Sequence, residues 1–390
     1  MAHNFDEKVD RRNSGSYKWS KYDPDVLPMF VADMDFRSPE PVIQALLKRV
    51  EHGVFGYEWP SDDLAKIICQ RMEREFHWRV TPEQVVFLPG LVSGLNLICR
   101  AIGKEGDSAV MLTPVYPPFL SAPVNQFMTA STAQLREVRK GQTISYEIDF
   151  DAFEAAIKPN TSLFIHCHPH NPTGHEYTAA EMQRLAEICL RHNVVICSDE
   201  IHCDLMMAGN RHTPMASLSP EIAARCITLM APSKTFNIPG LGCSFAIIQN
   251  PELHAAVKKS ETGMIPHVNA LGLTAAAAAY TEGGEWLDAL RQYLTGNRDT
   301  LVDYITENMP GISMTVPEAT YLAWLDCSKA GITGNPYEFF LEKARVAVND
   351  GPTFGPGGEN FVRFNYGCTR AQMMQALEQM KAALDQTRRA

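Results

Sequence analysis

The chain of 390 residues has no apolar run long enough to cross a bilayer. Its most hydrophobic stretches are broken by polar residues or proline well before the roughly 18 to 20 residues that a span requires. The N-terminal MAHNFDEKVDRRNSGSYKW lacks the apolar core that follows the basic residues of a secretory signal. A cytoplasmic protein without a membrane partner is the expectation. Positive charge is also scarce: 35 Lys and Arg stand against 45 Asp and Glu, a formal net charge of -10. Such a balance disfavours a surface built to neutralise nucleic-acid phosphates, and leaves a small soluble substrate as the expected partner. Internal repeats and low-complexity linkers are missing. So is a G-x-x-x-x-G-K-[ST] loop, while Gly351 to Gly358 lacks the strand-turn-helix context of a dinucleotide fingerprint. Nucleotide cofactors lose ground accordingly.

Ten cysteines are present, but they are scattered singly through apolar patterns, which suits reduced, mostly buried thiols better than a disulfide framework. His166, Cys167, His168 and His170 suggest metal ligation at first sight. In an extended segment alternate residues point to opposite faces, so these four do not readily converge on one ion, and no metal is expected.

From about residue 85 to 250 the sequence alternates strand, loop and helix. Val85 to Leu88 reads as a buried strand, Pro89-Gly90 as a turn, and Leu91, Leu95, Ile98 and Ile102 as one helical face. Further strands are expected at Ser108 to Leu112, Leu163 to Cys167, Val194 to Cys197 and Cys226 to Met230. Thr178-x-x-Glu181 reads as a capping box opening a helix with Met182, Leu185 and Cys189 on one face. This rhythm predicts an α/β fold with a mainly parallel sheet and helices on both faces. Glu285 to Met309 reads as one long helix, and the remainder mixes strands at Tyr321 to Leu325 and Phe361 to Phe364 with a last helix after Thr369-x-x-Gln372. The expected division is an N-terminal segment 1–45 packing on the small domain or on a partner subunit, a large domain 46–284, and a smaller α+β domain 285–390.

In open α/β sheets, ligands bind beyond the carboxyl ends of the parallel strands. Four positions follow such strands: Gly90 to Asn96, Asn171, Asp199 and Lys234. They are expected to meet in one site. A lysine at a strand end, with an acid from a neighbouring strand, suits an aldehyde cofactor whose ring nitrogen must stay protonated, because a nearby carboxylate favours the charged form by about 1 to 3 pKa units. That cofactor is pyridoxal phosphate.

The segments Ala231-Pro-Ser-Lys-Thr-Phe-Asn237, Pro-His-Asn-Pro-Thr-Gly (169–174) and Ser-Asp-Glu-Ile-His (198–202) resemble the fold-type-I pyridoxal-phosphate enzymes in content and order. Val31-Ala-Asp-Met-Asp-Phe36, Phe55-Gly-Tyr57, Thr113-Pro-Val-Tyr-Pro-Pro-Phe119 and Phe354-Gly-Pro-Gly-Gly358 extend the likeness nearly end to end, and it is closest to the MalY/PatB class of cystathionine and cysteine-S-conjugate β-lyases. The resemblance implies a seven-stranded-type sheet in the large domain and a homodimer with shared active sites.

It also implies residue roles. Lys234 is the Schiff-base lysine and the base at Cα, and Asp199 pairs with the pyridinium nitrogen. Asn171 donates to the cofactor's ring oxygen, and His202 stands near that oxygen where related aminotransferases usually carry a tyrosine. Tyr116 stacks on the ring or touches substrate. The amides of Leu91, Val92 and Ser93 at a helix start, with Ser233, are expected to hold the phosphate, joined by Tyr57 from the other subunit. Many aminotransferases place an arginine where this chain has Gly242. Arg363 is the expected partner of the substrate α-carboxylate, with Asp33, Asp35 and Tyr321 as further pocket candidates. The implied activity is carbon-sulfur β-elimination. An aminotransferase is the alternative, and a partner-binding protein with a vestigial site the second.

Overall fold

Seven strands form the main sheet of the computed structural model, which describes residues 3–389. They are β1 (Val85–Leu88), β2 (Ser108–Thr113), β3 (Thr129–Gln134), β4 (Thr161–Cys167), β5 (Val195–Asp199), β6 (Cys226–Met230) and β7 (Ser244–Ile247), in the order β1-β7-β6-β5-β4-β2-β3. All neighbours are parallel except β7, which runs antiparallel to both β1 and β6. Strands β2, β5 and β6 are buried at every position, as expected when helices cover both faces of a parallel sheet.

The helices form where the sequence repeats every three to four residues. In Leu91–Ile102 the residues Leu91, Leu95 and Ile98 are buried and Ile102 half-buried. Ala179–Arg191 opens with the expected capping box: Glu181 N–H donates to Thr178 Oγ1 at 3.2 Å, and Thr178 N–H donates back to Glu181 Oε2 at 2.8 Å. The long helix runs from Gly284 to Asn308. In the last helix, Arg370–Arg389, Gln372 N–H does reach Thr369 Oγ1, but the Gln372 side chain turns to Asp35 Oδ2 at 3.0 Å and does not close a box.

A second, six-stranded sheet lies in the C-terminal part, with Leu322–Asp326 and Phe361–Asn365 antiparallel at its centre. It also recruits the hairpin Arg136–Lys140 and Thr143–Glu147, which the sequence division leaves in the large unit; Thr143 and Ile144 pair with Met314 and Thr315. The N-terminal segment lies against this C-terminal part. Leu27–Pro28 pairs parallel with Val346–Ala347, and Asn365 N–H donates to Met29 C=O. All ten cysteines are unpaired, nine of them buried. Among the described residues no helix is long and apolar enough to cross a membrane.

Candidate active site

The carboxyl ends of β4, β5 and β6 and the start of the helix Leu91–Ile102 enclose a cavity of about 250 Å³. Nine expected site residues line it: Leu91, Val92, Ser93, Tyr116, Asn171, Asp199, His202, Ser233 and Lys234. A larger hollow of about 600 Å³, between Glu73–Arg79 and Ala216–Ala223, is more open and gathers no comparable set of buried polar groups.

Lys234 sits in a one-turn helix, Pro232–Thr235, that follows β6 directly. Its Nζ donates to Ala32 C=O at 2.6 Å. Burial lowers its pKa to about 8, with Arg363 adding to the fall and Asp33 and Asp199 opposing it. Asp199 ends β5. Burial pushes its carboxyl up to about 7, and Glu200 adds to the rise, while the Ile201 N–H that it accepts at 3.1 Å and the nearby Lys234 pull it down. His202 is buried, its Nδ1 lacks a hydrogen-bond partner, and burial with the charges of Lys234 and Arg363 lowers it to about 3, so its ring is neutral.

Arg363 does not line the cavity but reaches its edge from strand Phe361–Asn365. Its Nη1 donates to Asn171 Oδ1 at 3.0 Å, and its Nη2 to Phe30 C=O at 3.1 Å and Asn349 Oδ1 at 2.7 Å. The guanidinium lies 5.1 Å from the centre of the Phe354 ring. It is 3% exposed, its Nε has no partner, and no carboxylate forms an ion pair with it among the described residues. Burial lowers its pKa to about 10. A buried cation left without an anion is costly, which marks the place for one supplied by a ligand.

At the opposite end, the first bond of the helix Leu91–Ile102 runs from Gly94 N–H to Gly90 C=O at 3.0 Å. The amides of Leu91, Val92 and Ser93 are thus free of the helix ladder and favour an anion. At Gly242, φ is +57° and a Cβ would meet Pro89 O at 2.9 Å. A side chain at this position, such as the arginine that many aminotransferases carry, would require the Pro89 carbonyl to shift.

Three pocket expectations need correction. Asp35 does not belong to the pocket. It is buried, accepting from Lys18 Nζ (2.9 Å), Arg11 Nη1 (2.6 Å), Trp19 Nε1 (2.9 Å) and Gln372 Nε2 (3.0 Å), and so anchors the N-terminal segment. Asp33 is likewise paired with Arg11 at 2.7 Å and acts on Lys234 only through its charge. Tyr321 does not line the cavity either; its hydroxyl donates to Ala32 C=O at 2.8 Å, the carbonyl that Lys234 also uses. Tyr57 is fully exposed on this chain and lies outside its cavity.

The motif Val31–Phe36 offers two acids to the pocket in sequence, whereas in the structure the segment meets the cavity through Ala32. Asn237 holds it from the lysine side, accepting from Met34 N–H at 2.9 Å and donating to Met34 C=O (2.9 Å) and Phe36 C=O (2.8 Å). Asn365 holds it from the C-terminal part, donating to Val31 and Asp33 carbonyls at 2.6 and 2.8 Å. Asn237 adopts φ +55°, and an asparagine three residues after the lysine was its only trace in the sequence.

The donor set fits pyridoxal phosphate: an amine, a buried acid one strand away, free helix amides for a phosphate, and an unpartnered His202 nitrogen. Fold and site together define a fold-type-I enzyme with its cavity at the ends of the parallel strands. The family model "Aminotransferase class I and II" matches residues 24–380, and the chain belongs to that family. It is similar to cystathionine beta-lyase PatB of Bacillus subtilis (strain 168), at 39% identity over 98% of this chain and 100% of that protein. Among solved structures it resembles OvoB, at 45% identity, TM-score 0.92 and coverage of 98% of this chain and 99% of the other. Cystalysin from Treponema denticola, whose structure contains pyridoxal 5'-phosphate, aligns at 32% identity and TM-score 0.93 over 99% and 100% of the two chains.

Proposed function

We propose that the chain is a pyridoxal-phosphate-dependent carbon-sulfur β-lyase that cleaves L-cystathionine or related L-cysteine S-conjugates to a thiol, pyruvate and ammonia. The cofactor, when bound, supplies an electron sink that stabilises negative charge at Cα of the substrate. Lys234 would hold the cofactor through its amine and, with that amine free, would be the base that takes the substrate's Cα proton. Its lowered pKa suits that work, since a base titrating near the working pH is available unprotonated. Asp199 would pair with the cofactor's ring nitrogen and favour its protonated form. Asn171 and His202 would serve the ring oxygen, and the amides of Leu91, Val92 and Ser93, with Ser233, would hold the phosphate. Tyr116 would pack on the ring or touch substrate.

Arg363 carries the substrate assignment. A buried guanidinium with no carboxylate of its own, at the edge of a cavity that also holds an amine and an acid, selects an α-amino acid carboxylate through paired hydrogen bonds. The histidine at 202, where related aminotransferases usually carry a tyrosine, favours elimination over amino transfer. An intact set of Lys234, Asp199, Asn171 and Arg363 speaks against a vestigial site. We further propose a cytoplasmic homodimer in which Tyr57 reaches the phosphate of the neighbouring subunit; its full exposure on one chain suits that part.

A substrate panel tests the reading. Cystathionine, cystine and S-alkyl cysteines are each expected to yield pyruvate, whereas alanine with 2-oxoglutarate, which has no leaving group at Cβ, is expected to turn over far more slowly by kcat/KM. Faster amino transfer than elimination across the panel would overturn it.

A further inference from the structure

Behind the catalytic strands, on the side of β4 opposite Cys167, lies a second group of buried polar side chains that the proposed reaction does not use. His168 follows β4, Glu176 precedes the helix Ala179–Arg191, and His212 belongs to the loop after β5. His168 Nε2 stands 3.4 Å from Glu176 Oε1, and His212 Nδ1 stands 3.0 Å from the same oxygen. One donor atom from each residue lies within 4.8 Å of the other two. Around an ion with bonds of about 2.0 to 2.2 Å in tetrahedral geometry, donor atoms are roughly 3.3 to 3.6 Å apart, so the 3.0 Å pair would open by a few tenths of an ångström on binding.

We propose that His168, Glu176 and His212 bind a divalent transition metal of the zinc class, with a fourth position open to water.

Three further observations support this site. His212 Nδ1 and both Glu176 oxygens are buried and have no hydrogen-bond partner, although Nδ1 and Oε1 are only 3.0 Å apart. They are close yet not aligned on one another, as donors are when they face a common third point. Next, His212 Nε2 meets Glu200 Oε2 at 2.9 Å, and Glu200 Oε1 is itself held by Ser198 Oγ at 2.7 Å and Met215 N–H at 3.0 Å. A carboxylate on the far ring nitrogen is the arrangement that orients metal-bound histidines. Finally, two imidazoles and one carboxylate suit zinc better than magnesium or calcium, which take oxygen ligands. His212 borders a surface hollow of about 350 Å³, also lined by Phe76, Cys203, Asp204 and Arg211, which gives an ion a route in.

The competing account is an ion-pair network in which His212, as a cation, bridges Glu176 and Glu200. It accounts for His212 and for Glu176 Oε1, 3.0 Å from it, but leaves Glu176 Oε2 buried without a hydrogen-bond partner. The ion competes with one existing contact, His168 Nε2 to Thr213 C=O at 3.1 Å. Occupancy would brace the segment beside the cofactor acid, since His168 N–H donates to Asp199 C=O at 2.9 Å.

The test is zinc titration of the holoenzyme after chelation and desalting, read by equilibrium dialysis with elemental analysis and by thermal unfolding. The expected result is one ion per chain and a rise in Tm, with affinity lowered at least about 10- to 100-fold in His212→Gln and in His168→Asn and unchanged in the neighbouring control His175→Gln. If His212→Gln fails to fold, as judged by circular dichroism, His168→Asn decides. Binding well below one ion per chain, or equal binding by wild type and His168→Asn, would leave only the ion-pair network and overturn the proposal.

Discussion

Arg363 illustrates how a single residue can be held ready by neutral partners. Asn171, Asn349 and the Phe30 carbonyl orient the guanidinium without neutralising it, so the compensating charge must come from substrate. Lysine cannot reproduce the paired geometry of a guanidinium. Arg363→Lys is therefore expected to raise KM for cystathionine with a smaller change in kcat. At about 1.5 to 3 kcal/mol for a charged hydrogen bond, kcat/KM should fall roughly 10- to 150-fold, measurable by steady-state kinetics.

Asp199 gives a prediction with a definite sign. Its carboxyl titrates near 7 in the folded chain against 3.8 ordinarily, so the cofactor-free protein holds a proton that the unfolded chain has released. Stability from this group is fully present below pH 4 and is lost as pH rises through 7. Asp199→Asn removes that loss. Cofactor-free Asp199→Asn should exceed wild type by on the order of 2 to 4 kcal/mol at pH 8, at about 1.4 kcal/mol per pKa unit, and by nearly nothing at pH 4. Urea unfolding at the two pH values checks this, and the same variant should be nearly inactive.

Among the elements, the parallel strands were the most legible. Their continuous apolar runs, with Gly, Pro or Asn at the ends, placed β1, β4, β5 and β6 to within a few residues, and the polar residues after them did meet in one cavity. The motif Val31–Phe36 was legible but its part in the site was not, because it contributes mainly backbone carbonyls, and a carbonyl has no signature in sequence. Asp35 was misread for the opposite reason: an acid in a recognisable motif is drawn into a site, whereas Lys18, Arg11 and Gln372, distant in sequence, claim it here. The hairpin 136–147 has ordinary strand character, and only its pairing with Met314 and Thr315 assigns it to the second sheet. Asn237 ties the lysine turn to Val31–Phe36 through three hydrogen bonds. Asn237→Ala should destabilise the protein by about 1 to 3 kcal/mol in urea unfolding and lower kcat, because the Ala32 carbonyl that meets Lys234 belongs to the segment it fixes.

At the scale of the whole molecule, the cavity is lined by Ala32 of the N-terminal segment and by the main-sheet unit, while the C-terminal sheet brings Arg363 to its edge through Asn171, so no one of these parts contains the site. Residues 54–59 add an exposed apolar loop, with Phe55, Tyr57 and Trp59 all solvent-facing on one chain. If the neighbouring subunit receives Tyr57, mixing inactive Tyr57→Ala with inactive Lys234→Ala should restore activity, because a hybrid dimer retains one intact site. An absence of recovery under conditions of subunit exchange would count against shared sites.

The central claim is that Lys234 drives carbon-sulfur cleavage at this site. Its most direct measurement is the stoichiometry of products from L-cystathionine over many turnovers with no keto acid added, for wild type and for Lys234→Ala. Equal amounts of thiol, pyruvate and ammonia from the wild type, and none from the variant, are predicted. Turnover that requires 2-oxoglutarate, or that survives in Lys234→Ala, would contradict it.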